Sequence, residues 1–258
     1  PGFPDGVNGM DLMERFHQQA ERFGTEVSEF DEVTDVKPVE EEVIEVHTDE
    51  DAVYKGKAVV IATGSEPKKL GIPGEKEFYG KGVSYCATCD GPFFKGKDVI
   101  IIGAGNSGLQ EALQVLEYAN KVVFLEFLPY SRAEQILKDR VTAHEKSTLI
   151  FNQQVTEIQG DKTVTGVIAV DRETGEEKVY PTDGVFIYVG YSPRSEFVTD
   201  LVERNKWGYI KTDQKMRTGV PGLYAIGDVR ADNPAQLSVS VGDGAKAALE
   251  IREYIQKL

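Results

Sequence analysis

The stretch Val99-Ile100-Ile101-Ile102-Gly103-Ala104-Gly105-Asn106-Ser107-Gly108 decides the fold of this 258-residue chain. A continuous apolar run of this kind predicts a strand buried on both faces. The Gly-x-Gly-x-x-Gly turn after it predicts a sharp entry into a helix. Residues 107–118 supply that helix, with Leu109, Ala112, Leu113 and Leu116 on one face. Val122 to Leu125 then resume a strand. Strand, glycine turn, helix and strand together form one half of a dinucleotide-binding α/β layer.

Each glycine has its own duty. Gly103 makes the tight turn, Gly105 lets the backbone approach a pyrophosphate, and Gly108 lets the helix pack against the strand. Asn106 and Ser107 open the helix, whose free N–H groups and positive dipole end suit phosphate. The second strand ends in Glu126, about 20 residues beyond the loop. A carboxylate there accepts hydrogen bonds from ribose hydroxyls and repels a 2′-phosphate. Phe127 and Leu128 follow it, and the nearest cation is Arg132. The expected nucleotide is therefore NADH in preference to NADPH. If Glu126 only caps the strand end, that preference lapses.

Upstream of the loop lie the two cysteines of the chain, as Cys86-Ala87-Thr88-Cys89-Asp90. A Cys-x-x-Cys can be a redox disulfide, half a zinc site or a structural bridge. Structural zinc needs four Cys or His ligands. His17, His47 and His144 are scattered without ligand spacing, so no metal is expected. In redox exchange the thiolate attacks and the leaving thiol needs a proton. Asp90 is placed to supply it, although an Asp before Gly91-Pro92 also suits an ordinary turn.

Elsewhere, Met10 to Gly24 has helical spacing, and valines alternate with acidic residues between 31 and 51 as in solvent-facing antiparallel strands. Residues 58–64 and 185–190 predict strands buried on both faces. Residues 131–144 predict a helix, 148–160 and 166–178 strands or a hairpin, and 239–258 a closing helix. Loop residues at 67–82 suggest a domain crossing near 80–92. The formal net charge of -14 argues against nucleic acid and anionic membrane surfaces. No stretch is apolar for the length of a bilayer span, and Pro1-Gly2-Phe3-Pro4-Asp5-Gly6 has no signal-peptide pattern. With one Cys-x-x-Cys and no other cysteine, a cytoplasmic location is expected.

Together these residues resemble the low-molecular-weight thioredoxin reductase family. The match rests on Cys86-Ala87-Thr88-Cys89-Asp90-Gly91, the stretch 99–108, Ala62-Thr63-Gly64, Gly190-Tyr191-Ser192-Pro193 and Gly222-Leu223-Tyr224-Ala225-Ile226-Gly227-Asp228. The resemblance implies two Rossmann-like, three-layer domains, with an NAD domain (85–214) inserted into an FAD domain (1–84 and 215–258). It implies that Cys89 faces a flavin, Cys86 attacks the partner disulfide and Asp90 is the acid/base. Thr63, Gly64, Gly190, Gly227, Asp228 and Gln236 join the cofactor contacts. It also implies a homodimer, a thioredoxin-like protein substrate and a nucleotide domain that rotates.

The sequence departs from the family's pattern at three places. Glu126-Phe127-Leu128 stands where NADPH-using members carry His-Arg-Arg, and resembles the NADH-using flavoprotein subunit of alkyl hydroperoxide reductase, as does Val202-Glu203-Arg204-Asn205. Ala235-Gln236 replaces an Arg-Gln pair. The sequence starts downstream of the Gly-x-Gly-x-x-Gly unit with which the family opens, so the FAD domain is expected to be incomplete. Electron transfer from NADH through FAD and the dithiol to a protein disulfide is the leading expectation. The alternatives are a ferredoxin- or flavin-linked reductase with a vestigial nucleotide site, and a flavin-free nucleotide-binding fragment.

Overall fold

The computed structural model describes residues 2–4, 6–40 and 42–258. Pro1 and Asp5, quoted above for their lack of a leader pattern, lie outside them. The chain divides into two compact units. One is continuous, Pro67–Tyr191, and the other joins the residues up to Glu66 with Ser192–Leu258. The boundaries expected at 84/85 and 214/215 therefore need correction, since each falls inside a unit. The glycines and prolines of 67–82 made that segment read as a connector. Its side chains instead belong to the continuous unit, where Leu70, Ile72 and Phe78 join the core.

The continuous unit is built on a five-stranded parallel sheet. Its strand order is Val83–Ser84, Gly184–Ile187, Asp98–Ile102, Lys121–Leu125 and Ser147–Ile150. The apolar run 99–102 lies within its central strand, and side chains there alternate between two faces. Val99 and Ile101 pack with Leu109, Ala112, Val115 and Leu116 of the helix Asn106–Tyr118. Ile100 and Ile102 pack with Val155, Ile158, Val164 and Val167 of an antiparallel sheet. That second sheet has Val164–Asp171 at its centre, flanked by Gln153–Gly160 and Glu177–Pro181. Burying both faces explains why no polar residue interrupts the run. Each such side chain contributes roughly 1.5–3 kcal/mol on leaving water. Helices, parallel sheet and antiparallel sheet form three layers.

Register aligns the ends of the three inner strands. Ile102 is opposite both Leu125 and Ile187, so Gly103, Glu126 and Tyr188 emerge together at the carboxyl edge. Ligands of open α/β sheets bind at that edge.

In the discontinuous unit, Val33–Glu40, Val43–Thr48 and Val53–Gly56 form an antiparallel sheet. Val59–Ile61 pairs in parallel with Leu223–Ala225. Val36, Ile44, Ile61, Leu223, Ala225 and Val229 meet in its core, and Leu237–Ile255 is a long closing helix. The expectation that 58–64 is buried on both faces holds only in part, because Val60 is 38% exposed. Among the described residues this strand has a single partner, so one edge is unpaired.

Candidate functional site

Cys86 and Cys89 are joined as a disulfide, with Cα atoms 5.3 Å apart. They flank the one-turn helix Ala87–Asp90, in which the Cys89 N–H donates to Cys86 Sγ at 3.1 Å. Cys89 is exposed and Cys86 half-buried. Ser84, on the strand before them, is buried and works in two directions. Its hydroxyl donates to Asp90 Oδ2 at 2.6 Å, and its oxygen accepts the Cys86 N–H at 3.0 Å. One side chain thus ties the Asp90 carboxylate to the backbone of the redox pair. A cavity of about 320 Å³ opens beside it, lined by Ser84, Asp90, Phe93, Lys81 and Lys97 among others.

The disulfide segment is also fastened to the sheet and to the dinucleotide helix. Tyr188, following the strand Gly184–Ile187, accepts the Ala87 N–H on its hydroxyl at 3.0 Å. Burial, with the Glu111 carboxylate nearby, pushes the Tyr188 phenol well above its ordinary range. Thr88 donates its hydroxyl to Gln114 Oε1 at 2.8 Å. Tyr85, next to Cys86, donates to Glu75 Oε1 at 2.7 Å. The buried Glu75 also accepts the Leu70 and Gly71 N–H groups, at 2.8 and 2.6 Å. Ser84, Tyr188 and Glu75 carried no sequence signal, because the contacts that give them a role form only in the fold.

On the nucleotide side, the glycines behave differently from one another. A Cβ on Gly103 would meet the Tyr188 carbonyl oxygen at 2.2 Å, and one on Gly108 the Gly103 oxygen at 2.2 Å. Both serve close packing. A Cβ on Gly105 would meet nothing within 4 Å and would project into open space. Gly105 is extended, with φ -79° and ψ -176°, so approach rather than backbone strain requires glycine there. Gly103, Gly105, Glu126, Phe127, Arg132, Tyr188 and Gly190 help line a cavity of about 600 Å³. This is an open backbone cradle at a helix N-terminus, with a carboxylate beside it, and it fits a pyrophosphate and a ribose.

Glu126 is 8% exposed and does more than face that cavity. Its Oε2 accepts the Ala104 N–H of the glycine loop at 2.5 Å, and Oε1 the Leu128 N–H at 2.9 Å. Arg172 lies 3.6 Å from the Phe127 ring centroid and donates to the Phe127 carbonyl at 2.9 Å. The helix expected over 131–144 spans only Gln135–Thr142. Its first residues serve the loop instead: Ser131 Oγ donates to the Ala104 carbonyl at 2.5 Å, and the Glu134 N–H donates to Asn106 Oδ1 at 2.7 Å. Asn106 thus has a positioning contact, while no side-chain contact is recorded for Ser107, which lines a small neighbouring cavity with Gly105.

Thr63, Gly64, Gly227, Asp228 and Gln236 all lie in the discontinuous unit. Thr63 spends its hydroxyl on the Arg194 carbonyl at 2.5 Å. Beyond the paired strands Val59–Ile61 and Leu223–Ala225, Gly64 and Gly227 both have a φ of +68°. A Cβ on Gly64 would meet nothing within 4 Å, and Asp228 is half-buried beside Gly227, with Ser240 Oγ 3.4 Å from its carboxylate. The buried Asp243 accepts the Gly227 N–H at 3.2 Å and pairs with Arg230 at 3.1 Å, which fixes this turn. An open glycine, Gly64, and a carboxylate at a carboxyl strand edge fit the phosphate and polyol portion of FAD. Gln236 is exposed.

The model for pyridine nucleotide-disulphide oxidoreductases matches residues 5–244. Over its whole length the chain is 42% identical to a thioredoxin reductase of Listeria monocytogenes, of which it covers 80%. It is also 42% identical, over 83% of its length, to an NADH dehydrogenase of Bacillus subtilis, of which it covers 42%. The crystal structure of Lactococcus lactis thioredoxin reductase (FR conformation) is similar with a TM-score of 0.92 at 36% identity, covering 100% of this chain and 85% of that one. A disulfide beside a Gly-x-Gly-x-x-Gly cradle agrees with the family match and with the likeness to thioredoxin reductases. The chain is an oxidoreductase that belongs to the pyridine nucleotide-disulphide oxidoreductase family and, within it, to the thioredoxin reductases.

Proposed function

We propose that the chain passes electrons from NADH, through FAD and the Cys86–Cys89 pair, to the disulfide of a thioredoxin-like protein. The observation that carries this reading is a disulfide fastened to the helix that opens at the nucleotide cradle. Gly103, Gly105, Ser107, Gly108 and Gly190 would line the NADH site, with Asn106 holding the loop. Gly64, Gly227 and Asp228 would hold FAD, with Thr63 fixing the turn before Gly64 and Gln236 nearby. Bound FAD supplies two-electron chemistry that links a hydride donor to a disulfide.

The residues of the chain do the rest. Reduction of the Cys86–Cys89 bond consumes two electrons and two protons. Asp90, held by the Ser84 hydroxyl, is placed to pass a proton to a departing sulfur. The Cys86 thiolate then attacks the partner disulfide, and Cys89 displaces the partner from the mixed disulfide. Glu126 supports NADH over NADPH: its carboxylate is fixed between two backbone N–H groups and cannot turn away from a 2′-phosphate.

Anaerobic visible spectroscopy of the purified chain tests the reading. A flavin band should bleach on addition of NADH, and turnover of thioredoxin should follow in wild type but not in Cys89→Ser. A flavin band that NADH leaves unchanged, or that only NADPH bleaches, would refute the donor assignment. Full thioredoxin turnover by Cys89→Ser would refute the path.

A further inference from the structure

Phe127 is an anomaly on the nucleotide side. It follows Glu126 at the carboxyl edge of the parallel sheet, a large apolar side chain that is 47% exposed. Its backbone is nonetheless tightly held. The Phe127 carbonyl accepts Arg172 Nη1 at 2.9 Å, and the next amide, that of Leu128, donates to Glu126 Oε1 at 2.9 Å. The Leu128 carbonyl accepts the Asn152 N–H at 3.1 Å, and the Asn152 carbonyl accepts the Arg172 N–H at 2.7 Å. The residues that hold the segment therefore also hold one another. The ring is fixed as well, because the Arg172 guanidinium carbon lies 3.6 Å from its centroid, stacked on one face. Phe127 lines the cavity of about 600 Å³ and Arg172 does not. The guanidinium backs the ring from behind, and the uncovered face is turned to the cavity.

Strand order sets which part of a dinucleotide meets that face. Asp98–Ile102 lies between Gly184–Ile187 and Lys121–Leu125. Along the carboxyl edge the glycine loop is therefore in the middle, with Tyr188 and Gly190 on one side and Glu126 and Phe127 on the other. A pyrophosphate seated on the loop sends its two nucleosides in opposite directions. The nucleoside whose ribose hydroxyls meet the Glu126 carboxylate carries its base toward the residue that follows, Phe127. A fixed aromatic face, uncharged and open to the cavity, suits the flat face of a purine.

We infer that Phe127 is the platform on which the adenine ring of the dinucleotide stacks, backed by Arg172. The adenosine end is then held by two adjacent residues, its ribose by Glu126 and its base by Phe127. This inference rests on the reading that the cradle takes NADH.

ADP-ribose carries the adenosine and pyrophosphate of NADH and no nicotinamide, so it reports on this site without electron transfer. Calorimetric titration of the purified chain with ADP-ribose would compare wild type with Phe127→Ala, Phe127→Leu and Phe127→Tyr. Affinity should fall about ten- to hundredfold in Phe127→Ala and about threefold or more in Phe127→Leu, which keeps apolar bulk without a ring. Phe127→Tyr keeps the ring and should stay within about twofold of wild type. The side chain is half exposed, so none of these changes empties a core. Unchanged affinity in Phe127→Ala would overturn the inference. Binding by Phe127→Leu as tight as wild type would overturn it too, by reducing the contact to apolar packing. Failure of ADP-ribose to bind wild type would refute the functional reading and the inference together. Ring-dependent binding of ADP-ribose by a chain whose flavin NADH leaves unbleached would refute the functional reading alone.

Discussion

Ser84 gives its hydroxyl proton to Asp90 and receives the Cys86 amide on the same oxygen. Asp90→Asn should leave flavin bleaching by NADH intact and slow turnover with thioredoxin about 100-fold, the low end for loss of a general acid. Rapid mixing, with the two half-reactions followed separately, checks this. Ser84→Ala strands a buried amide and should lower both turnover and stability. Glu111 adds a prediction of definite sign. Its folded carboxyl titrates above the ordinary value, so the native state binds its proton more readily than the unfolded chain. The ionised group therefore costs stability above the folded value, and the cost disappears as pH falls through that value toward the ordinary one. Urea midpoints should favour Glu111→Gln at neutral pH and converge with wild type near the ordinary carboxylate range. The Cys86–Cys89 pairing was legible because two cysteines three residues apart can close a disulfide. The contacts of Ser84 and Tyr188 were not, since a Ser and a Tyr acquire partners only through what the fold brings to them.

The glycine loop shows how one element serves two masters. Gly105→Ala should fold normally, because its added carbon meets no protein atom, yet it should lose NADH affinity by tenfold or more. Gly108→Ala should instead lower stability, because its carbon would lie 2.2 Å from a backbone oxygen. Thermal unfolding with an NADH titration separates the two outcomes. Glu126 is likewise structural, besides the selectivity proposed for it. Glu126→Ala frees two amides, each in a charge-assisted bond worth roughly 1.5–3 kcal/mol, and should raise the KM for NADH at least tenfold. Glu126→Arg should lose NADH without gaining NADPH, because arginine has no acceptor for the Ala104 N–H. Steady-state kinetics with both nucleotides decides. The strand, turn and helix were legible from periodicity. The short helix Gln135–Thr142 was overestimated because Ser131 and Asn106 bind the loop's own surroundings, a tertiary demand that outweighs local helical pattern.

On the scale of the molecule, the alternation of strands with helices announced an α/β chain, and the family resemblance, not the alternation, implied an inserted nucleotide domain. The limits of the insertion were less legible, since glycine and proline punctuate buried segments as readily as linkers. Two units with separate cores should unfold in two calorimetric transitions. NADH at 100 times its Kd should move only the transition of Pro67–Tyr191, by about 2.7 kcal/mol, and flavin the other. A single transition moved by both would refute this. Tyr188 has one further consequence. Its ring borders the nucleotide cavity while its hydroxyl grips the amide beside Cys86. One side chain thereby links the proposed donor site to the disulfide segment. On the proposed path, electrons leaving the nucleotide would have to pass through a carrier other than this linkage, which is the role a bound flavin would fill.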